Sequence, residues 1–150
     1  MGRVYSAVFE GVSVSVAQDL FELNAPADAA VRLLAVHITQ DTSETSEQLP
    51  FTIKRVATSG SIGSIPTARP MQVGDPAFGG TVEANNTTRG GTPTTIRRRS
   101  ENVLAGVHWI FPLGQEIYLS PSGILVVGLE TAPGAALTMS GEIVFEEIGG

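Results

Sequence analysis

Cysteine is missing from the 150-residue chain. Its absence excludes disulfides, thiolate catalysis and every cysteine-ligated zinc or iron–sulfur centre, and leaves the redox compartment unread. Charge is scarce as well: 16% of residues are charged, against about 25% in an average soluble domain. Lysine is reduced to Lys54, and the other eight basic residues are arginines. With a formal net charge of −6, the chain offers no field to neutralise phosphates, which argues against a nucleic-acid partner. No apolar run approaches the roughly 20 residues of a membrane-spanning helix, so no membrane partner is expected. Residues 1–16 lack a basic segment leading into an unbroken apolar one, which argues against a cleaved secretory signal. Helix signals are nearly missing too. The 17 glycines and 9 prolines are spread along the chain, and no long segment keeps an apolar stripe at helical spacing between caps.

What is present is period-two alternation. Leu137, Met139, Gly141, Ile143 and Phe145 alternate with polar neighbours, as do Val12, Val14 and Val16. That is the pattern of a strand with one buried and one wet face. Phe51, Ile53 and Ala57 share a face, with Arg55 as the exception. Val103, Ala105, Val107, Trp109 and Phe111 form another, which places Trp109 in the core. Two runs, 31–38 (VRLLAVHI) and 124–129 (ILVVGL), are apolar on both sides and read as central strands covered on each face. Turn clusters such as Asn24-Ala25-Pro26 and Ser120-Pro121-Ser122-Gly123 separate the runs.

Eight to ten such strands predict an all-β fold: one antiparallel β-sandwich over 1–150, jelly-roll-like if eight strands close it. Hydrophobic residues at 42% and a mean hydropathy of +0.17 supply its core. Residues 59–94 break the rhythm with seven glycines and four prolines. They read either as a long connection across one end of the sandwich, with a short strand near 80–84, or as an arm that reaches a neighbouring subunit. Residues 41–48 (DTSETSEQ) read as an exposed acidic loop. The low charge fits either a Thr-rich wet surface or a surface covered by neighbours, where Lys, Glu and Asp are depleted and Arg is retained.

Catalytic groups do not converge. His37 and His108 are the only imidazoles, each inside a predicted strand, and two imidazoles without thiolates make a poor metal site. No Gly-x-Ser-x-Gly elbow marks a nucleophile. Glu146 and Glu147 point to opposite faces of one strand rather than pairing across a substrate. The glycine-rich pieces lack the strand-to-helix context and Lys-Ser/Thr ending of a phosphate loop. The chain is therefore expected to be no enzyme, with no catalytic residues, cofactor or metal. Arg97-Arg98-Arg99 is the one charge run, with Arg97 and Arg99 on one face and Arg98 on the other. It reads as a contact to a partner's carboxylates or as a guarded edge strand.

Four segments together resemble small structural proteins of tailed bacteriophages and prophages: 4–23 (VYSAVFEGVSVSVAQDLFEL), 81–88 (TVEANNTT), 119–129 (LSPSGILVVGL) and 136–150 (ALTMSGEIVFEEIGG). Within that group the likeness is to head decoration, or cement, proteins of β-sandwich or jelly-roll type. The resemblance implies a virion protein on the capsid surface, made in the host bacterial cytoplasm. Its implied partners are other copies of itself, as a dimer or trimer, and the major capsid protein. The alternatives are a tail-, neck- or fibre-associated virion protein and a carbohydrate- or receptor-binding sandwich. Candidate interface residues are Ile62, Ile65, Met71 and Phe78 in the long region, with Arg97 and Arg99 beside it.

Overall fold

A computed structural model describes residues 2–42 and 45–149. The expected acidic loop at 41–48 lies partly outside the described residues, since it includes Ser43 and Glu44. Alternating side chains extend the chain into eleven strands among the described residues, and no helix interrupts them. They are β1 (Arg3–Val14), β2 (Gln18–Asn24), β3 (Ala30–Gln40), β4 (Gln48–Val56), β5 (Arg69–Pro70), β6 (Thr81–Asn86), β7 (Thr94–Asn102), β8 (Val107–Ile110), β9 (Ile117–Leu119), β10 (Ile124–Leu129) and β11 (Leu137–Ile148).

The strands form two antiparallel sheets packed as a sandwich. The first runs β5-β1-β11-β3-β8, with β9 also pairing β3; the second runs β6-β2-β10-β4-β7. Without β5 and β6, strands successive in sequence alternate between the sheets except at the β4-to-β7 and β8-to-β9 steps. That order is consistent with a jelly roll. Strands β8 and β9 act as one edge strand interrupted by an excursion: Ile110 faces Ala35 and Ile117 faces Leu33 on the same partner, β3.

The inner faces of both sheets meet in one apolar cluster. Tyr5, Phe21, Phe51, Ile53, Leu125 and Phe145 are its large, fully buried members. Trp109 is buried as the alternation requires, and all five alternating residues from Leu137 to Phe145 turn inward. Fully burying each Leu, Ile or Phe contributes roughly 1.5–3 kcal/mol, so this face carries the stability of the fold.

Three expectations need correction. Strand β3 is not covered on both sides: Arg32, Leu34 and His37 on it are half-exposed. A bulge between Leu33 and Ala35 inserts Leu34, so Leu33 and Val36 both turn inward and the run looks uniformly apolar. The alternation at Val12, Val14 and Val16 stops early, because β1 ends at Val14 and Val16 is exposed. Strand β8 starts at Val107, leaving Ala105 exposed in the preceding turn.

The long region does not stand off as an arm. From the end of β4 it crosses the outer face of the second sheet, where Thr58 bridges Gly91 and Ser64 bridges Ala84 on β6. It then adds β5 to the edge of β1, as Tyr5 pairs with Pro70 and Ser6 with Arg69, and returns as β6 beside β2. The short strand expected near 80–84 is present as β6, which runs on through Asn85 and Asn86, with Asn85 in the left-handed region at φ 57°. The connection straps one side of the sandwich.

Candidate interaction surface

The strapped side is held by aromatic packing and by a buried ionic cluster. Phe78, returning from the strap, lies 5.4 Å from the Tyr5 ring and 4.8 Å from Phe145, ring centre to ring centre. The buried Tyr5 hydroxyl donates to the Pro76 carbonyl at 3.1 Å. Burial raises the Tyr5 pKa above its ordinary 10.0, with the nearby Glu147 charge pushing the same way. At the strap's far end Glu147, itself buried, accepts from the Gly79 amide at 2.9 Å and pairs with Arg3 at 3.3 Å.

Beneath the crossing, the outer face of the second sheet is polar and largely buried: Asp19, Glu22, Thr52 and Lys54 are all buried. Arg89 reaches down to Asp19 (2.9 Å) and binds Glu130 through both Nη atoms (2.9 and 2.8 Å). Lys54 pairs with the same Glu130 at 2.8 Å, and Thr52 donates its hydroxyl to it. Burial opposes ionisation of Glu130, but hydrogen bonds from Arg89, Lys54 and Thr52 outweigh it and hold the carboxyl at about 2. Burial likewise works against the Arg89 charge, yet its two carboxylate partners raise its pKa above the ordinary value. Gly128 lies directly under this guanidinium: a Cβ there would come within 2.5 Å of Arg89 Nη2. The roof is tied down by backbone amides, with Gly60 donating to Glu22, Gly63 to Asn86 and Gly90 to Asp19, each at 2.9–3.0 Å.

Sequence reasoning missed this cluster. Asp19, Glu22, Lys54, Arg89 and Glu130 are scattered over more than a hundred positions, and only the sheet register brings them together. The one local signal is a set of charges inside strands, Asp19 and Glu22 in QDLFELN and the single lysine in β4. The cluster is satisfied internally, and its place is beneath the strap rather than at an open cleft. Among the described residues no group of His, Asp and Glu is arranged to hold a metal ion.

The opposite side is built differently. Among the described residues β7 pairs only with β4, and β8 and β9 pair only with β3, so both sheets end there in free edges. Side chains alone close the gap between them. Arg97 stacks over the Phe111 ring at 5.0 Å and donates to the Gln115 carbonyl at 3.4 Å. Arg55, the exception on its strand face, donates to the Tyr118 carbonyl at 3.0 Å. Trp109 Nε1 donates to Glu101 (3.3 Å), which also pairs with Arg99 (3.4 Å). Two adjoining hollows of about 500 and 390 Å³ run along this side, and Arg55 lines both.

Arg97 and Arg99 share the inner side of β7, opposite Ile53 and Phe51, while Arg98 pairs in register with Thr52 and turns outward, as the strand periodicity requires. The structure separates them from the strap, which lies across the sandwich. Ile62, Ile65 and Met71 are about 60% exposed on the strap and Val73 is fully exposed beside them. Phe78 is half-buried against the core, so little of it faces outward. His37 and His108 face each other across β3 and β8, with their Nδ1 atoms 3.2 Å apart on the outer side of the first sheet.

No protein-family model and no curated protein matches the chain. Among solved structures, it is similar to a chain in the structure of infectious bursal disease virus Gx strain, with 13% identity and a TM-score of 0.22. That match covers 99% of this chain, which spans only 42% of the viral one. It is similar also to VP17, a capsid protein of bacteriophage P23-77, at 12% identity over 92% of this chain and 89% of that one, with a TM-score of 0.17. Overlaps this small transfer neither fold nor role.

Proposed function

We propose that this chain is a non-enzymatic virion structural protein that decorates and stabilises a phage capsid, binding its outer lattice as an oligomer. The observation that carries the reading is the contrast on the strap. It is anchored by Phe78, Gly60 and Gly63, yet it presents Ile62, Ile65, Met71 and Val73 to solvent. A connection so firmly placed has no folding need for four outward apolar side chains, whereas a protein surface docked on a shell does. The resemblance of the four segments to head decoration proteins supports the same role.

The test uses purified particles and a gold-labelled copy of the chain. Label spread over the whole shell is expected. Label confined to one vertex or to the tail would replace decoration with a tail or neck role. A protein that ignores shells and stays monomeric at high concentration would end the reading altogether. Replacing Ile62, Ile65, Met71 and Val73 together by serine should leave the melting transition unmoved and abolish shell binding.

A further inference from the structure

We propose that the free edge of β7 is a strand-addition site for an extended acidic segment of another protein. This goes beyond the capsid reading and stands without it. Three observations carry it. First, β7 is nine residues long and hydrogen-bonded on one side only, so its other side presents a row of unpaired backbone donors and acceptors. An incoming extended peptide satisfies such a row as a new sheet strand.

Second, the edge carries its own charge code. Arg97, Arg98 and Arg99 project alternately to the two sides of the sheet, so an added strand meets guanidinium groups on both of its faces. Directly opposed side chains of neighbouring strands lie about 4.5–5.5 Å apart, where opposite charges attract and like charges repel. A second β7 in self-pairing would set arginine rows side by side, and the edge therefore rejects its own kind while admitting carboxylates. Third, two of these cations have no carboxylate partner. Arg97 and Arg98 make no ion pair among the described residues, although the chain carries 15 acidic side chains. Arg97 stacks over Phe111 and donates to a carbonyl, neither of which neutralises it, and Arg99 is 65% exposed despite its contact with Glu101. Forked guanidiniums take carboxylates bidentately, which suits an Asp- or Glu-bearing strand better than a neutral one.

The probe is a synthetic peptide alternating valine and glutamate, titrated into the full chain while backbone amide resonances are followed by NMR at low salt. Saturable shifts confined to 94–102 and the adjoining β4 are expected. A glutamine-for-glutamate copy should bind about tenfold more weakly or worse, because the charge complementarity is gone. A fully N-methylated copy, which keeps the carboxylates and loses the strand hydrogen bonds, should fail equally. Arg97→Gln with Arg99→Gln should weaken the acidic peptide alone, and the peptide variants read the same point without altering the protein. Equal binding of acidic and neutral peptides would overturn the proposal, as would retained binding of the N-methylated copy or shifts centred elsewhere. Identical shifts from inorganic phosphate would reduce the site to a general anion contact and overturn strand addition. Shell binding is measured separately, so loss of one property leaves the other to be judged by itself.

Discussion

At the β5/β6 side of the sandwich, the chain covers its own edges: β5 adds to β1, Ser64 bridges the outside of β6, and Phe78 fills the space between the sheets. At the β7/β8 side the edges end in solvent, and the sheets are bridged by side chains: Arg97 over Phe111, Arg55 to the Tyr118 carbonyl and Trp109 to Glu101. Exposed strand edges invite pairing with other chains, and covering them or charging them are two distinct protections. Covering uses up a strand edge for further pairing, whatever the cover itself presents to solvent. Charging leaves the edge unpaired. The strapped side therefore closes its edges and gains stability from the cover, and the open side keeps edges that can still accept a strand.

Substitutions sharpen that contrast. The largest effect is expected on the strapped side at Phe145, fully buried against Tyr5 and Phe78. Phe145→Ala should cost about 3–5 kcal/mol in urea unfolding. Next comes Arg89→Met, which leaves the buried Asp19 carboxylate without its cation. Unfolding should lose about 3 kcal/mol, since breaking a buried pair strands the other charge. Phe78→Ala, at a half-buried ring, should cost about 2 kcal/mol and speed proteolytic cutting within the strap, with the sandwich otherwise intact. At the open side Arg98→Gln should move stability by no more than about 0.5 kcal/mol, as for an ordinary surface position. If the arginine edge proved as costly to alter as the strapped core, the division between the two sides would fail.

Acid tests the strapped side through Glu130. Glu130 has its pKa lowered from 4.5 to about 2 in the folded chain. A depressed carboxyl contributes stability above its unfolded value, and that contribution is lost as pH falls through the folded one. The stability gap between the parent and Glu130→Gln should thus be full above pH 4.5 and shrink towards pH 2. A gap independent of pH over that window would mean that Glu130 acts by shape rather than by charge.

The strands whose outer face is wet were legible in the sequence, because β11 and β8 keep strict alternation from Leu137 to Phe145 and from Val107 to Phe111. The central position of β10 was legible too: Leu125 to Leu129 are buried on both faces. What covers its outer face was not. That cover is the crossing segment and Arg89, joined to β10 through Glu130 forty-one positions away, and no local periodicity encodes such a pairing. Strand β3 misled for the converse reason, since one inserted residue at a bulge shifts the alternation by one and mimics a doubly buried run. Of the interface candidates, Ile62, Ile65 and Met71 face outward. Phe78 looked the same in sequence because a tyrosine seventy-three positions earlier receives it.

The pairing of β1 with β11 sets an order on synthesis. Strand β11 lies between β1 and β3 and hydrogen-bonds both along most of its length. The first sheet therefore has no middle until residues 137–148 have left the ribosome. Chain growth at about 5–20 residues per second leaves β1 and β3 waiting for several seconds with apolar faces and free edges exposed. Sandwiches dominated by such distant pairings fold on the millisecond-to-second scale once complete. In a cell making many copies at once, the interval before β11 arrives is when misassembly between nascent chains competes most strongly with the native sheet.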